Sequence, residues 1–169
     1  MYIIRADGNT AIGMGHVMRC LSIADAMKDR NIEPLFMTAD NDCAAMIEDR
    51  GFEACVLGTD YRDMESELPL IREFLRQRTK EVDASSVILV DSYQATSGYY
   101  EELRTMAKVA CLEDMGQSYP VDLLINYNIY GPKLVYDNKI THATLLGTRN
   151  QPLRREFQQD IQYDIKDKI

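Results

Sequence analysis

Arg5-Ala6-Asp7-Gly8-Asn9-Thr10-Ala11-Ile12-Gly13-Met14-Gly15-His16-Val17-Met18-Arg19 follows a short apolar stretch, Tyr2-Ile3-Ile4, and leads into Val17, Leu21, Ala24 and Met27/Lys28 at helical spacing. The pattern predicts a strand, a glycine loop and a helix in immediate succession. Glycine at 13 and 15 allows positive φ and a close backbone approach to a ligand, and the first N–H groups of a helix lack internal partners. Those donors and the helix dipole attract anions, so the segment reads as an anion-binding loop. It carries neither the six-residue dinucleotide fingerprint nor a Gly-Lys-Ser/Thr.

His16 falls where this helix starts. A protonated imidazole is disfavoured at the positive end of a helix, so His16 is expected to be neutral near pH 7 and able to act as a general base. The competing reading is a helix cap or a polar residue packed in the core.

The remainder alternates. Strands are expected at 33–38, 52–57, 87–90, 109–112, 123–125 and 144–146. Helices are expected at 42–50, 63 to about 78 (buried stripe Leu68, Ile71 and Leu75) and 97–106. Val87-Ile88-Leu89-Val90 is uninterruptedly apolar, as in a strand buried on both faces. This order predicts an α/β fold, Rossmann-like, with an open, mostly parallel, doubly wound sheet. Ligands in such sheets bind outside the carboxyl ends of the strands. The polar residues expected there are Asp7 and the glycine loop, Asp91-Ser92-Tyr93, Glu113-Asp114 and Asn126-Tyr127-Asn128. Singly each reads as a turn or cap; together they describe a polar crevice.

With 169 residues, 46% hydrophobic and 27% charged, the chain has the composition of a soluble globular domain. Its net charge of −8 argues against a nucleic-acid or anionic-membrane binder, so an anionic ligand needs local donors: loop amides, or Arg5, Arg19, Arg149, Arg154 and Arg155. Most of these arginines are expected to be solvated or ion-paired. Cys20, Cys43, Cys55 and Cys111 are widely spaced and read as reduced core residues. No cofactor or dedicated metal site is indicated; His142 lies far from His16, and Glu113-Asp114 reads more simply as a solvated turn than as a magnesium site. Without a leader or membrane-length apolar run, a cytoplasmic location is the default expectation.

Several pieces together resemble the UDP-sugar hydrolase family of pseudaminic acid biosynthesis and the related spore-coat polysaccharide proteins. They are Arg5-Ala6-Asp7 with Ile12 to Arg19, Val90-Asp91-Ser92-Tyr93, the Glu113-Asp114 turn, Asp122 to Asn128, and Leu146-Gly147 with Leu153 to Phe157. The resemblance implies a two-domain GT-B-type architecture, with residues 1–150 as the N-terminal domain and 151–169 as a helix toward a C-terminal nucleotide-binding domain. It implies metal-independent, inverting hydrolysis of a UDP-2,4-diacetamido-2,4,6-trideoxyhexose. His16 would activate water, and Tyr93 would contact the sugar or the histidine. The candidate substrate-binding residues are Asp7, Gly13, Gly15, Arg19, Asp91, Tyr93, Asp114, Asn126 and Asn128. The acidic turn, often Asp-Asp in that family, is Glu113-Asp114 here. The alternatives are a GT-B-type glycosyltransferase, favoured by an exposed apolar patch near the loop that the sequence does not clearly show, and a non-catalytic binding or assembly domain.

Overall fold

Among the described residues seven strands line up in parallel: β1 (Tyr2–Ala6), β2 (Leu35–Thr38), β3 (Ala54–Val56), β4 (Val87–Asp91), β5 (Lys108–Leu112), β6 (Leu123–Asn126) and β7 (Thr144–Leu146). The computed structural model describes residues 1–78 and 81–157. The strand order is β3-β2-β1-β4-β5-β6-β7, and every pairing is parallel. The first six strands have the order of the doubly wound α/β fold, in which the direction of winding reverses between β1 and β4.

Among the described residues four α-helices cover the sheet: α1 (Gly15–Lys28), α2 (Ala44–Asp49), α3 (Leu68–Gln77) and α4 (Ser97–Arg104). The alternation of side chains along each strand divides the core in two. On one face Ile4, Ala6 and Phe36 meet Val17, Cys20, Leu21 and Ala24 of α1 and Ile47 of α2. On the other, Ile3, Met37, Ile88 and Val90 meet Ile71 and Leu75 of α3 and Tyr99, Tyr100 and Leu103 of α4. Three cysteines are buried, Cys55 is partly exposed, and all four are free.

Most differences from the expected elements are at their ends. β2 starts at Leu35 rather than at Glu33-Pro34, β3 is only three residues long, α2 loses Asp42, Cys43 and Arg50, and α4 stops at Arg104 rather than Met106. The helix expected from Asp63 is a 3-10 turn, Met64–Glu67, followed by α3. Pro69 sits in the first turn of α3, where a missing N–H costs nothing, and this marks the true start of the α-helix. Much of the helix expected beyond Leu153 falls on 158–169, outside the described residues; Arg155–Phe157 form a 3-10 turn. No described helix is long and apolar enough to cross a membrane.

Candidate active site

The loop after β1 and the end of β4 are neighbours at the point where the winding reverses, and there the chain builds a His–Asp pair. His16 Nδ1 lies 2.7 Å from Asp91 Oδ1, both residues being nearly buried. Arg19, one helical turn after His16, grips both oxygens of Asp91 through Nε and Nη2. Burial alone would raise the Asp91 pKa, but hydrogen bonds and charge from Arg19 and then His16 leave it below the usual carboxylate range. An ionised carboxylate can only accept, so Nδ1 carries the hydrogen and, in the neutral ring, the lone pair is on Nε2. Arg19 Nη2, 3.0 Å from Nδ1, is itself only a donor and is spoken for by Asp91.

The depressed Asp91 pKa makes a stability prediction. Its contribution should be fully present above the unfolded-state pKa of about 3.9 and be lost as pH falls through the lower folded-state value. Urea unfolding of the wild type and Asp91→Asn should therefore differ at neutral pH and converge as the pH falls below about 3.9. A difference that persists in acid would mean that the carboxylate charge is not what stabilises this junction.

Arg19 extends the network. Its Nη1 donates to Tyr127 Oη at 3.0 Å and lies 3.6 Å from Asp114 Oδ2. Tyr93 Oη donates to that same Asp114 oxygen at 2.8 Å, and its ring meets the His16 ring edge-on, centroids 4.8 Å apart. The start of α1 and the ends of β4, β5 and β6 thus converge on one spot: His16, Arg19, Asp91, Tyr93 and Asp114, together with Tyr127. Beside His16 a pocket of about 20 Å3, room for about one water, is lined by Asp7, Ile12, Tyr61, Asp91, Ser92, Tyr93 and Gln94.

The glycine loop spends part of its hydrogen-bonding capacity on itself. Asn9 Oδ1 accepts from the Ala11 and Ile12 N–H groups, and Asn9 O from Gly13 N–H at 2.8 Å. Three loop amides are thereby committed within the loop. Gly13 has φ +74°, which the turn requires, whereas Gly15 is helical and needs no positive φ. A Cβ on either would meet nothing within 4 Å, so both face open space. α1 has no side-chain cap, which removes the reading of His16 as a capping residue and leaves the first-turn N–H groups uncapped.

Other expected site residues have structural partners. Asp7 is buried, with Oδ2 accepting from Arg5 and Oδ1 from the Ala39 N–H. Arg5 is completely buried and bound to Glu67 and Asp7, so it is not available to an anion. Asn126 is fully buried; its Nδ2 donates to Tyr136, and its Oδ1 accepts from the Asn128 backbone and side chain. Asn126 and Asn128 therefore shape the turn that carries Tyr127, with no contact of their own to His16 or Asp91.

Glu113 and Asp114 divide their work. Glu113 turns inward, accepting from the Met115 and Gln117 N–H groups and from Tyr136 Oη. Asp114 faces the site. The sequence reading passed over Asn9, Glu67, Tyr99 and Tyr136, although Asn9 is a strong Asx-turn former and Glu67 lies four residues before the buried Ile71. Among the described residues, no group of three or more His, Cys, Asp or Glu is placed to hold a metal ion. No protein-family model matches the chain, and no curated protein sequence is significantly similar to it.

Proposed function

We propose that this chain carries the catalytic half of a nucleotide-sugar hydrolase, with His16 as the base that activates water for attack at the anomeric carbon and release of UDP. The observation that carries this reading is the buried Asp91–His16 pair at the switch point of the sheet. Asp91 holds the ring and selects the tautomer with Nε2 free, the arrangement a general base needs. The pocket beside His16 has room for about one water, the size of the nucleophile in hydrolysis. The diacetamido-trideoxy sugar and the role in nonulosonic acid or surface polysaccharide synthesis rest on the family resemblance.

One observation favours the transferase alternative. Met115, Ile129, Tyr130 and Tyr93 are 71%, 81%, 44% and 57% exposed, and the two tyrosines hydrogen-bond to Asp114. Apolar surface beside a candidate base suits an apolar acceptor. Incubating candidate UDP-sugars with the two-domain protein that the resemblance implies, and following the anomeric proton by NMR, separates the readings. Hydrolysis gives free reducing sugar with inverted configuration. Product formation only when an alcohol acceptor is added would replace hydrolysis by transfer, and no reaction with any UDP-sugar would sink both.

For this chain alone, weak nucleotide binding is expected. Arg5, Arg19 and three loop amides are internally committed, and each remaining amide-to-phosphate hydrogen bond contributes only about 0.5–1.5 kcal/mol net. Calorimetric titration of UDP should give a Kd near or above about 1 mM. Micromolar binding would show a complete nucleotide site in these residues.

A further inference from the structure

A permanent cation lies against the candidate base. Arg19 Nη2 is 3.0 Å from His16 Nδ1. The same Nη2 donates to Asp91 Oδ1, the oxygen that Nδ1 meets at 2.7 Å, and Arg19 Nε takes Asp91 Oδ2. One carboxylate is therefore shared between a guanidinium and an imidazole. An imidazolium here would have a second positive charge at its Nδ1 edge and only part of a carboxylate to offset it.

Arg19 is braced in this position from its far side. Its Nη1 donates to Tyr127 Oη at 3.0 Å and lies 3.6 Å from Asp114 Oδ2, and its side chain is only 17% exposed. Burial would lower the Arg19 pKa, but the hydrogen bond and charge of Asp91, and then Tyr127, raise it, so the guanidinium stays charged. Other titratable groups face the imidazole from several elements. Asp7, after β1, and Tyr61, after β3, line the pocket beside it, and Tyr93, after β4, meets the ring edge-on. Asp114, after β5, reaches it through Tyr93, and Tyr127, after β6, through Arg19. The uncapped first-turn N–H groups of α1 add positive potential of their own. Asp7 is already bound by Arg5 and the Ala39 N–H. A substitution at Arg19 removes none of these groups, so the change it causes at His16 reports on Arg19.

We propose that Arg19 is a positioning residue that keeps His16 unprotonated, its fixed cation sharing Asp91 with the ring instead of contacting a substrate phosphate. The consequence for catalysis rests on the reading of His16 as the base, but the test does not require turnover. The ring signals of His16 and His142, the chain's two histidines, are followed by NMR against pH, with His142→Gln assigning them. Arg19→Gln is neutral and can still donate to Asp91. It should raise the His16 midpoint by about one unit or more, a tenfold or greater gain in proton affinity. Arg19→Lys keeps the charge and should move the midpoint less than half as far. His142, beside Arg104 and Asp122, should move in neither variant. In the wild type itself, the Arg19 Nε–H signal should titrate with the His16 midpoint, a readout that needs no variant.

An unchanged His16 midpoint in folded Arg19→Gln would overturn the proposal. So would an equal rise in Arg19→Lys, or a wild-type Arg19 signal indifferent to the titration of His16. In an active hydrolase, the acid limb of kcat/KM should move to higher pH in Arg19→Gln by as much as the NMR midpoint does. A raised midpoint without hydrolysis of any UDP-sugar would instead retire the hydrolase reading and leave this inference standing.

Discussion

Replacing His16 with Ala is expected to lower the proposed UDP-releasing activity by about 10^2- to 10^4-fold in kcat, the usual contribution of a positioned general base. KM should change little, because the imidazole acts mainly in the transition state. The geometry supports this reading on two counts. Asp91 takes the hydrogen on Nδ1, leaving Nε2 as the only ring nitrogen able to accept a proton, and Tyr93 packs edge-on against the same ring. Asp91→Asn tests the positioning separately. An amide that donates to Nδ1 would move the ring hydrogen to Nε2 and remove the base, and the pH profile of any residual activity should lose its acid limb. Steady-state kinetics of both variants, with folding checked by circular dichroism, decide the matter. Near-normal turnover by His16→Ala would take the histidine out of the mechanism.

The fold was readable because α/β architecture writes itself in alternation. The apolar run Val87-Ile88-Leu89-Val90 became the central β4, flanked by β1 and β5, and the glycine loop fell at the switch point. Convergence of strand-end residues was also readable, since parallel strands deliver their carboxyl ends to one edge. Which of those residues face a ligand was not. Asp7, Asn126 and Asp91 look alike in the sequence, yet Asp7 and Asn126 are absorbed by backbone and tyrosine partners while Asp91 meets the imidazole. The contacts Asp7–Ala39, Asn126–Tyr136 and Asp91–His16 span 32, 10 and 75 residues, distances over which no local spacing rule operates. The same holds for the loop: glycines advertise an open backbone, but Asn9 had already claimed three of its amides.

Arg5 shows where more could have been read. In a strand with sheet neighbours on both edges and helices on both faces, a charged side chain two residues after Ile3 has no route to water, so it demands a buried countercharge. Glu67, on the Ile71 and Leu75 stripe, is that group. Arg5 Nε and Nη2 bind it at 2.6–2.9 Å, Arg5 Nη1 binds Asp7 at 2.6 Å, and Tyr99 adds its hydroxyl. Burial would lower the Arg5 pKa, but the hydrogen bonds and charge of Glu67 and the charge of Asp7 raise it, so the guanidinium stays charged.

The second large effect follows from this cluster. Arg5→Met should destabilise the chain by about 3–5 kcal/mol, because it strands two buried carboxylates without their cation. For a domain whose total stability is about 5–15 kcal/mol, that approaches unfolding at room temperature. The loss reflects a charge left behind rather than the worth of the pair, which makes a distinguishing prediction. Arg5→Met combined with Glu67→Leu should be more stable than Arg5→Met alone, since one stranded charge is replaced by apolar packing between β1 and the start of α3. Urea unfolding of the wild type, both single variants and the double variant measures the coupling. If Arg5→Met costs less than about 1 kcal/mol, or if adding Glu67→Leu makes matters additively worse, then the cluster is not the electrostatic unit its geometry implies. Because Asp7 ties it to the backbone at Ala39, the floor of the candidate site should loosen with it, so the Arg5→Met variant should also lose protection of the Ala39 amide in hydrogen exchange before the strand interior does.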